Sequence, residues 1–239
     1  MKERGFLIMF TGFPEETIRF FLDLRFHNDI SFFKQHEDVY HQYVKEPFFS
    51  FIEAMEPTMQ QIANDMDLRP GKCLARIRRD TRFTKDKTPF RDHMWLLFRR
   101  AGESRDSSVM YWFELSPETV DWGVGFWGAN RPAMDALRNK MIRRPAEVLD
   151  VLKKCKLPDA HLQIYGDAYK RMKVPDTLPQ ALQPLYPQKE IYIKRSGTPL
   201  RTAYGKELID LVSADFLRLK PMYTLLRTAA DEGLAALDS

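Results

Sequence analysis

The sequence predicts an α+β fold: a central antiparallel sheet of about four to six strands, flanked by N-terminal and C-terminal helices. Three observations carry that prediction. Apolar residues recur at helical spacing before residue 70 and again after residue 130. Between them lie short apolar or alternating stretches bounded by turn residues. The strand-helix alternation that builds parallel sheets is missing from this order.

The first helix is expected after Pro14, where Glu15 and Glu16 give an acidic first turn and Ile18, Phe21, Leu22 and Leu24 follow at helical spacing. Asn28 and Asp29 are placed to cap a second helix carrying Phe32, Phe33, His36, Tyr40 and Val44. Pro47 opens a third, striped by Phe48, Phe51, Ile52, Met55, Met59, Ile62 and Met66, and Pro57 should kink or divide it. Arg69-Pro70-Gly71 marks a change of period. Strands are expected at 73–80, 94–100, 109–115 and 121–127, joined as antiparallel hairpins through the turn-rich residues 102–108 and Ser116-Pro117. Gly123, Gly125 and Gly128 fall within or beside the last of these, which points to close backbone packing and not to a dinucleotide loop.

Asn130 then caps a helix with Pro132 in its first turn and Ala133, Met134, Leu137 and Met141 facing inward. Arg143-Arg144-Pro145 ends it and starts another through Val151 and Leu152. Residues 174–190 hold Pro175, Pro179, Pro184 and Pro187, too many for a regular element, and predict a long surface excursion. A short strand at 191–194 and a helical region at 206–226 complete the chain. With 239 residues and 44% apolar content, the chain has core material enough for a single domain spanning 1–239.

Several function classes lack support. Cys73 and Cys155 lie far apart without C-x-x-C spacing, so neither a disulfide framework nor a zinc knuckle is expected and reduced thiols are the simplest reading. The opening apolar run stops at Thr11-Gly12, shorter than a secretory segment, and no stretch approaches the roughly 20 apolar residues of a membrane span. A cytoplasmic protein without membrane contact is expected. No G-x-S-x-G, P-loop, H-E-x-x-H or G-x-G-x-x-G following a strand occurs, and His36 and His41 stand five apart, off a common helix face. No cofactor and no metal is therefore predicted.

Charge points to one segment. The chain carries a net +4, yet residues 76–91 hold Arg76, Arg78, Arg79, Arg82, Lys85, Lys87 and Arg91 against only Asp80 and Asp86, a local +5 that leaves −1 for everything else. Strand alternation puts Arg76 and Arg78 on one side and turns Ala75 and Ile77 to the core. Thr81, Thr84 and Thr88 add hydroxyls, and Thr88-Pro89 forces extended backbone. Guanidinium forks, ammonium charges and hydroxyl donors suit phosphate or carboxylate oxygens. The competing reading is a solvated hairpin whose arginines pair with Asp80, Asp86, Asp92 or Glu114.

Three functions are compatible. The favoured one is binding of an anionic or phosphorylated ligand by Arg76, Arg78, Arg79, Arg82, Thr84, Lys85, Lys87 and Arg91. The second is an enzyme acting on a phosphorylated or carboxylated substrate, with Asp80 or His93 moving a proton. The third is nucleic-acid binding along the basic loop. Trp95, Trp112, Trp122 and Trp127 could stack bases, but aromatic residues on strands usually pack in the core. The absence of a catalytic motif favours the first; ligand identity, catalysis and oligomeric state stay open.

Residues 79–90 read Arg-Asp-Thr-Arg-Phe-Thr-Lys-Asp-Lys-Thr-Pro-Phe. This run resembles the signature Arg-Asp-Thr-Arg-Phe-Ser-Lys-Asp-Lys-Thr-Pro-Tyr of a conserved, mostly bacterial family of proteins containing a domain of unknown function. The resemblance extends over Gly12-Phe13, residues 17–24, residues 27–40 and the strands that follow. Thr84 stands where the family more often has Ser, and Phe32-Phe33 replaces a Trp-Phe pair. The family starts near Met9, leaving residues 1–8 as an upstream extension. What the resemblance implies is a fold and the location of a site, not a reaction.

Overall fold

The computed structural model describes residues 10–195 and 197–237, so the upstream extension expected at 1–8 lies outside the described residues. Helix α1 (Glu15–Phe26) begins after an extended Pro14, with Glu15 and Glu16 in its first turn and Arg25 in its last, charges that complement the helix dipole. Helix α2 (Ile30–Gln35) is capped by Asp29, whose carboxylate accepts from the Phe32 amide at 2.9 Å.

The sequence suggested that this second helix continues to Val44 and that a new one opens at Pro47. Instead α2 stops before His36. Helix α3 (Glu37–Tyr40), a π-helical turn (His41–Lys45) and α4 (Glu46–Ile62) then follow with right-handed helical dihedrals at each of their junctions. Pro47 has no amide for the carbonyl four residues back, that of Tyr43. The Thr17 hydroxyl donates to that carbonyl in its place, which lets the helix pass the proline. Pro57 neither divides nor ends α4, because it and Glu53, the residue whose carbonyl it cannot serve, both face solvent.

A four-residue helix α5 (Pro70–Cys73) precedes the segment expected as the first strand. The remainder of 73–80 is not a strand: only isolated bridges, Leu74 with Leu96 and Arg78 with Phe90, tie it to its neighbour. Strands β1 (Met94–Phe98), β2 (Val109–Leu115) and β3 (Val120–Phe126) fall where the pattern put them. After α6 (Arg131–Arg143) and α7 (Pro145–Cys155) come β4 (Leu162–Tyr165), which the sequence reading missed, and β5 (Tyr192–Arg195). The five strands make one antiparallel sheet in the order β1-β2-β3-β5-β4. Gly123 and Gly125 let β3 meet β5: a Cβ on Gly123 would lie 1.9 Å from the Ile193 carbonyl oxygen, and one on Gly125 2.4 Å from that of Ile191. The final helix α8 (Glu207–Ala235) outruns the expected 206–226. Pro221 does not break it, since Leu217, whose carbonyl lies four residues back, is 38% exposed.

Two compact units partition the chain. The first takes Met1–Leu97, Phe113–Asp121 and Gly197–Ser213; the second takes Phe98–Trp112, Trp122–Ser196 and Ala214–Ser239. The first has an aromatic centre in which Phe113 stacks on Phe13 at 5.7 Å and packs against Phe51 at 4.4 Å. Gly12 holds φ +113 and lies so close to the Tyr204 carbonyl that a Cβ would sit 2.1 Å from the oxygen. The second unit buries Tyr111 against Phe216 and Trp122 beside Asp215. Its residues 174–190 form turns, as their prolines predict, but Leu178, Leu182 and Leu185 are buried. The buried Arg138 guanidinium of α6 fastens the excursion by donating to the Tyr186 carbonyl at 2.7 Å and to that of Gln188.

Candidate anion-recognition hairpin

Residues 74–79 run against 89–96 through three backbone bonds: Ala75 N to Trp95 O at 3.0 Å, Arg79 N to Pro89 O at 2.8 Å and Arg91 N to Ile77 O at 2.9 Å. A continuous ladder fails because the two bridges differ in register: four residues separate Leu74 from Arg78 but six separate their partners Phe90 and Leu96, so the second side carries two extra residues. Pro89 has no amide. The Arg76 and Arg78 carbonyls accept from the Arg91 guanidinium at 2.8 and 2.7 Å, so they are not offered to a neighbouring strand. The Asn28 side-chain amide, just beyond α1, takes both the amide and the carbonyl of Phe90, each at 3.0 Å. Alternation of burial nonetheless survives: Ile77 is buried while Arg76 and Arg78 are exposed.

Residues 80–88 close the hairpin as a loop tied by its own side chains. Asp80 accepts from the Arg82 guanidinium at 2.9 and 2.7 Å and from the Arg82 amide at 3.2 Å. Asp86 accepts from Arg79 and, at 2.9 Å each, from the amide and hydroxyl of Thr88. Thr84 donates to the Asp86 carbonyl and Lys87 to the Thr81 carbonyl, both at 2.8 Å. The Arg82 guanidinium holds the Asp80 carboxyl down to about 2, and Arg79 with Thr88 does the same for Asp86.

The eight residues read from the sequence as a ligand set thus share one hairpin but divide into two groups. Arg79, Arg82, Thr84 and Lys87 hold the loop together, and Arg91 lies over the Trp95 ring at 4.7 Å while bonding the two carbonyls named above. Arg76, Arg78 and Lys85 are exposed, and among the described residues no carboxylate pairs with them. Arg78 lies over the Phe90 ring at 5.6 Å. Phe83, which the sequence reading passed over, stands 91% exposed between Arg82 and Thr84. Its neighbours Arg82, Thr84, Lys85, Asp86 and Lys87 are all polar or charged, and that context is the signal in the sequence that sets it apart from the buried phenylalanines. A groove of about 470 Å³ in the second unit, lined by Asp135, Asn139, Lys140, Arg143 and Glu232 among others, contains none of these residues.

The two proton-carrier candidates differ. Asp80, ionised and doubly held by Arg82, has no proton to give near neutrality. His93 Nδ1 lies 3.1 Å from the Asp92 carboxylate. Asp92 in turn accepts from Arg25, which also pairs with Glu118. Burial pushes the Asp92 carboxyl up, but the His93 and Arg25 hydrogen bonds hold it below the ordinary value on balance. The sequence reading offered Asp92 as a partner for the basic segment; it serves Arg25, 67 residues away in the chain. Of the tryptophans, Trp95 and Trp122 are core residues.

A family model described as a conserved hypothetical protein, DUF2461, matches residues 16–225. No curated protein and no solved structure matches the chain.

Proposed function

We propose, for a chain that belongs to the DUF2461 family of conserved hypothetical proteins, that the 76–91 hairpin recognises an anionic, phosphorylated ligand at an open surface. The observation that supports this reading is a surplus of cations. Asp80 and Asp86 are engaged by Arg82 and Arg79, and Arg76, Arg78 and Lys85 stay exposed with no carboxylate paired to them among the described residues. Because the loop ties itself, little conformational entropy is lost when a ligand docks on it. Guanidinium forks and an ammonium are the groups that grip phosphate oxygens. Two free, buried thiols fit a reducing, cytoplasmic setting, and among the described residues no helix is long and apolar enough to cross a membrane.

Calorimetric titration with sodium tripolyphosphate tests the reading. The wild type should bind, more weakly as salt rises. The triple variant Arg76→Ala, Arg78→Ala, Lys85→Ala should lose about 10- to 150-fold in affinity, taking about 0.5–1 kcal/mol for each exposed charge contact. Undiminished binding by the variant, or none by the wild type, overturns the proposal.

A further inference from the structure

We infer that the phosphorylated partner of this hairpin is a single-stranded nucleic acid, and that Phe83 is the platform on which one of its bases stacks. The inference rests on the anion-recognition reading above and adds the class of ligand.

At 91% exposure, Phe83 exceeds Phe26, the next most exposed large apolar side chain among the described residues, at 77%. A phenyl ring is strongly favoured in a core. This one is instead held out in solvent by a loop fixed on both sides of it: the Asp80–Arg82 pair precedes it and the Arg79–Asp86–Thr88 cluster follows, with Lys87 bonding back to the Thr81 carbonyl. Arg82, anchored by Asp80, lies over the ring at 5.5 Å from its centroid. Lys85, two residues along, is exposed and carries no carboxylate partner among the described residues.

An exposed aromatic ring carried with a guanidinium on a basic hairpin is what a single strand requires, because every base offers a π-face and every linkage a phosphate. A duplex hides its bases in the stack, so it would engage the cations and leave the ring unused. Inorganic phosphate or a simple carboxylate would do the same. An anionic bilayer also attracts aromatic and basic side chains, but durable attachment takes more than one insertion anchor, and the other residues from 82 to 87 are polar or charged.

Fluorescence anisotropy with labelled oligo-dT and oligo-rU of about 12 nucleotides, a length within the usual site size, should detect binding that falls as salt rises. A duplex of equal length should bind more weakly. Phe83→Ala should weaken oligonucleotide binding about five- to a hundredfold while leaving tripolyphosphate affinity unchanged, and Phe83→Trp should retain oligonucleotide binding. Equal oligonucleotide affinity in wild type and Phe83→Ala overturns the inference. So does a wild type that binds tripolyphosphate but no oligonucleotide, or one that sediments with phosphatidylglycerol vesicles in a Phe83-dependent way while ignoring oligonucleotides; in both cases the anion-recognition reading survives. Failure to bind tripolyphosphate removes that reading and the inference together.

Discussion

A single hydroxyl decides whether one of the longest helical runs continues. Tyr43 loses its ordinary donor because residue 47 is proline, and Thr17 replaces it from α1. Thr17→Val should therefore destabilise the protein by about 1–2 kcal/mol in urea unfolding, the cost of leaving a part-buried carbonyl unpaired. The loss should shrink when Pro47→Ala is also present, since residue 47 then brings its own amide, and equal costs in the two backgrounds would sink the argument. Reading residues one at a time recovered much of the interior. Ile18, Phe21 and Leu24 are buried as their spacing predicts, whereas Leu22, taken for the same face, is 37% exposed. The passage through Pro47 was not legible, because it depends on Thr17, a partner outside the local window.

The hairpin behaves as an element whose backbone was misread and whose composition was read correctly. Alternation along 75–78 foretold which side chains face out, but the two extra residues between Phe90 and Leu96 interrupt the ladder, and the outer backbone groups of Phe90, Arg76 and Arg78 pair with side chains. Asn28 and Arg91 supply these side chains. The loop's ion pairs also make its order dependent on pH. Asp80 and Asp86 lie near 2 in the fold against an ordinary 3.8. A depressed carboxylate pKa contributes stability that is present above the unfolded value and lost as pH falls through the folded one. Carboxyl-carbon NMR should accordingly give titration midpoints near 2 for both, with the Thr88 and Arg82 amides keeping their native shifts at pH 4 and losing them toward pH 2. Midpoints near 4 would mean that the pairs do not persist in solution.

Across the molecule, charges distant in sequence settle one another. In the second unit Asp215 of α8, 2% exposed, accepts from Trp122 of β3 at 2.9 Å and from Arg195 of β5 at 2.8 Å. Asp215→Asn should cost about 3–5 kcal/mol in urea unfolding because Arg195 keeps its charge without a counterion, and a cost below about 0.5 kcal/mol would discount the pair. The basic segment likewise gains meaning from its surroundings, since the first unit is acidic apart from it. The amino-acid pattern by itself determined the α+β class, three of the five strands by position and a fourth, β5, in outline, the glycines of β3 and the location of the cationic hairpin. All of these follow from periodicity, turn chemistry and composition within short windows. Tertiary structure alone decided that β4, four residues long, joins β5 some thirty residues on, and that Asp80 and Asp86 neutralise two arginines while Arg76, Arg78 and Lys85 remain available. Each of those outcomes is a choice among competing partners of the same chemical type, and only folded distances select between them.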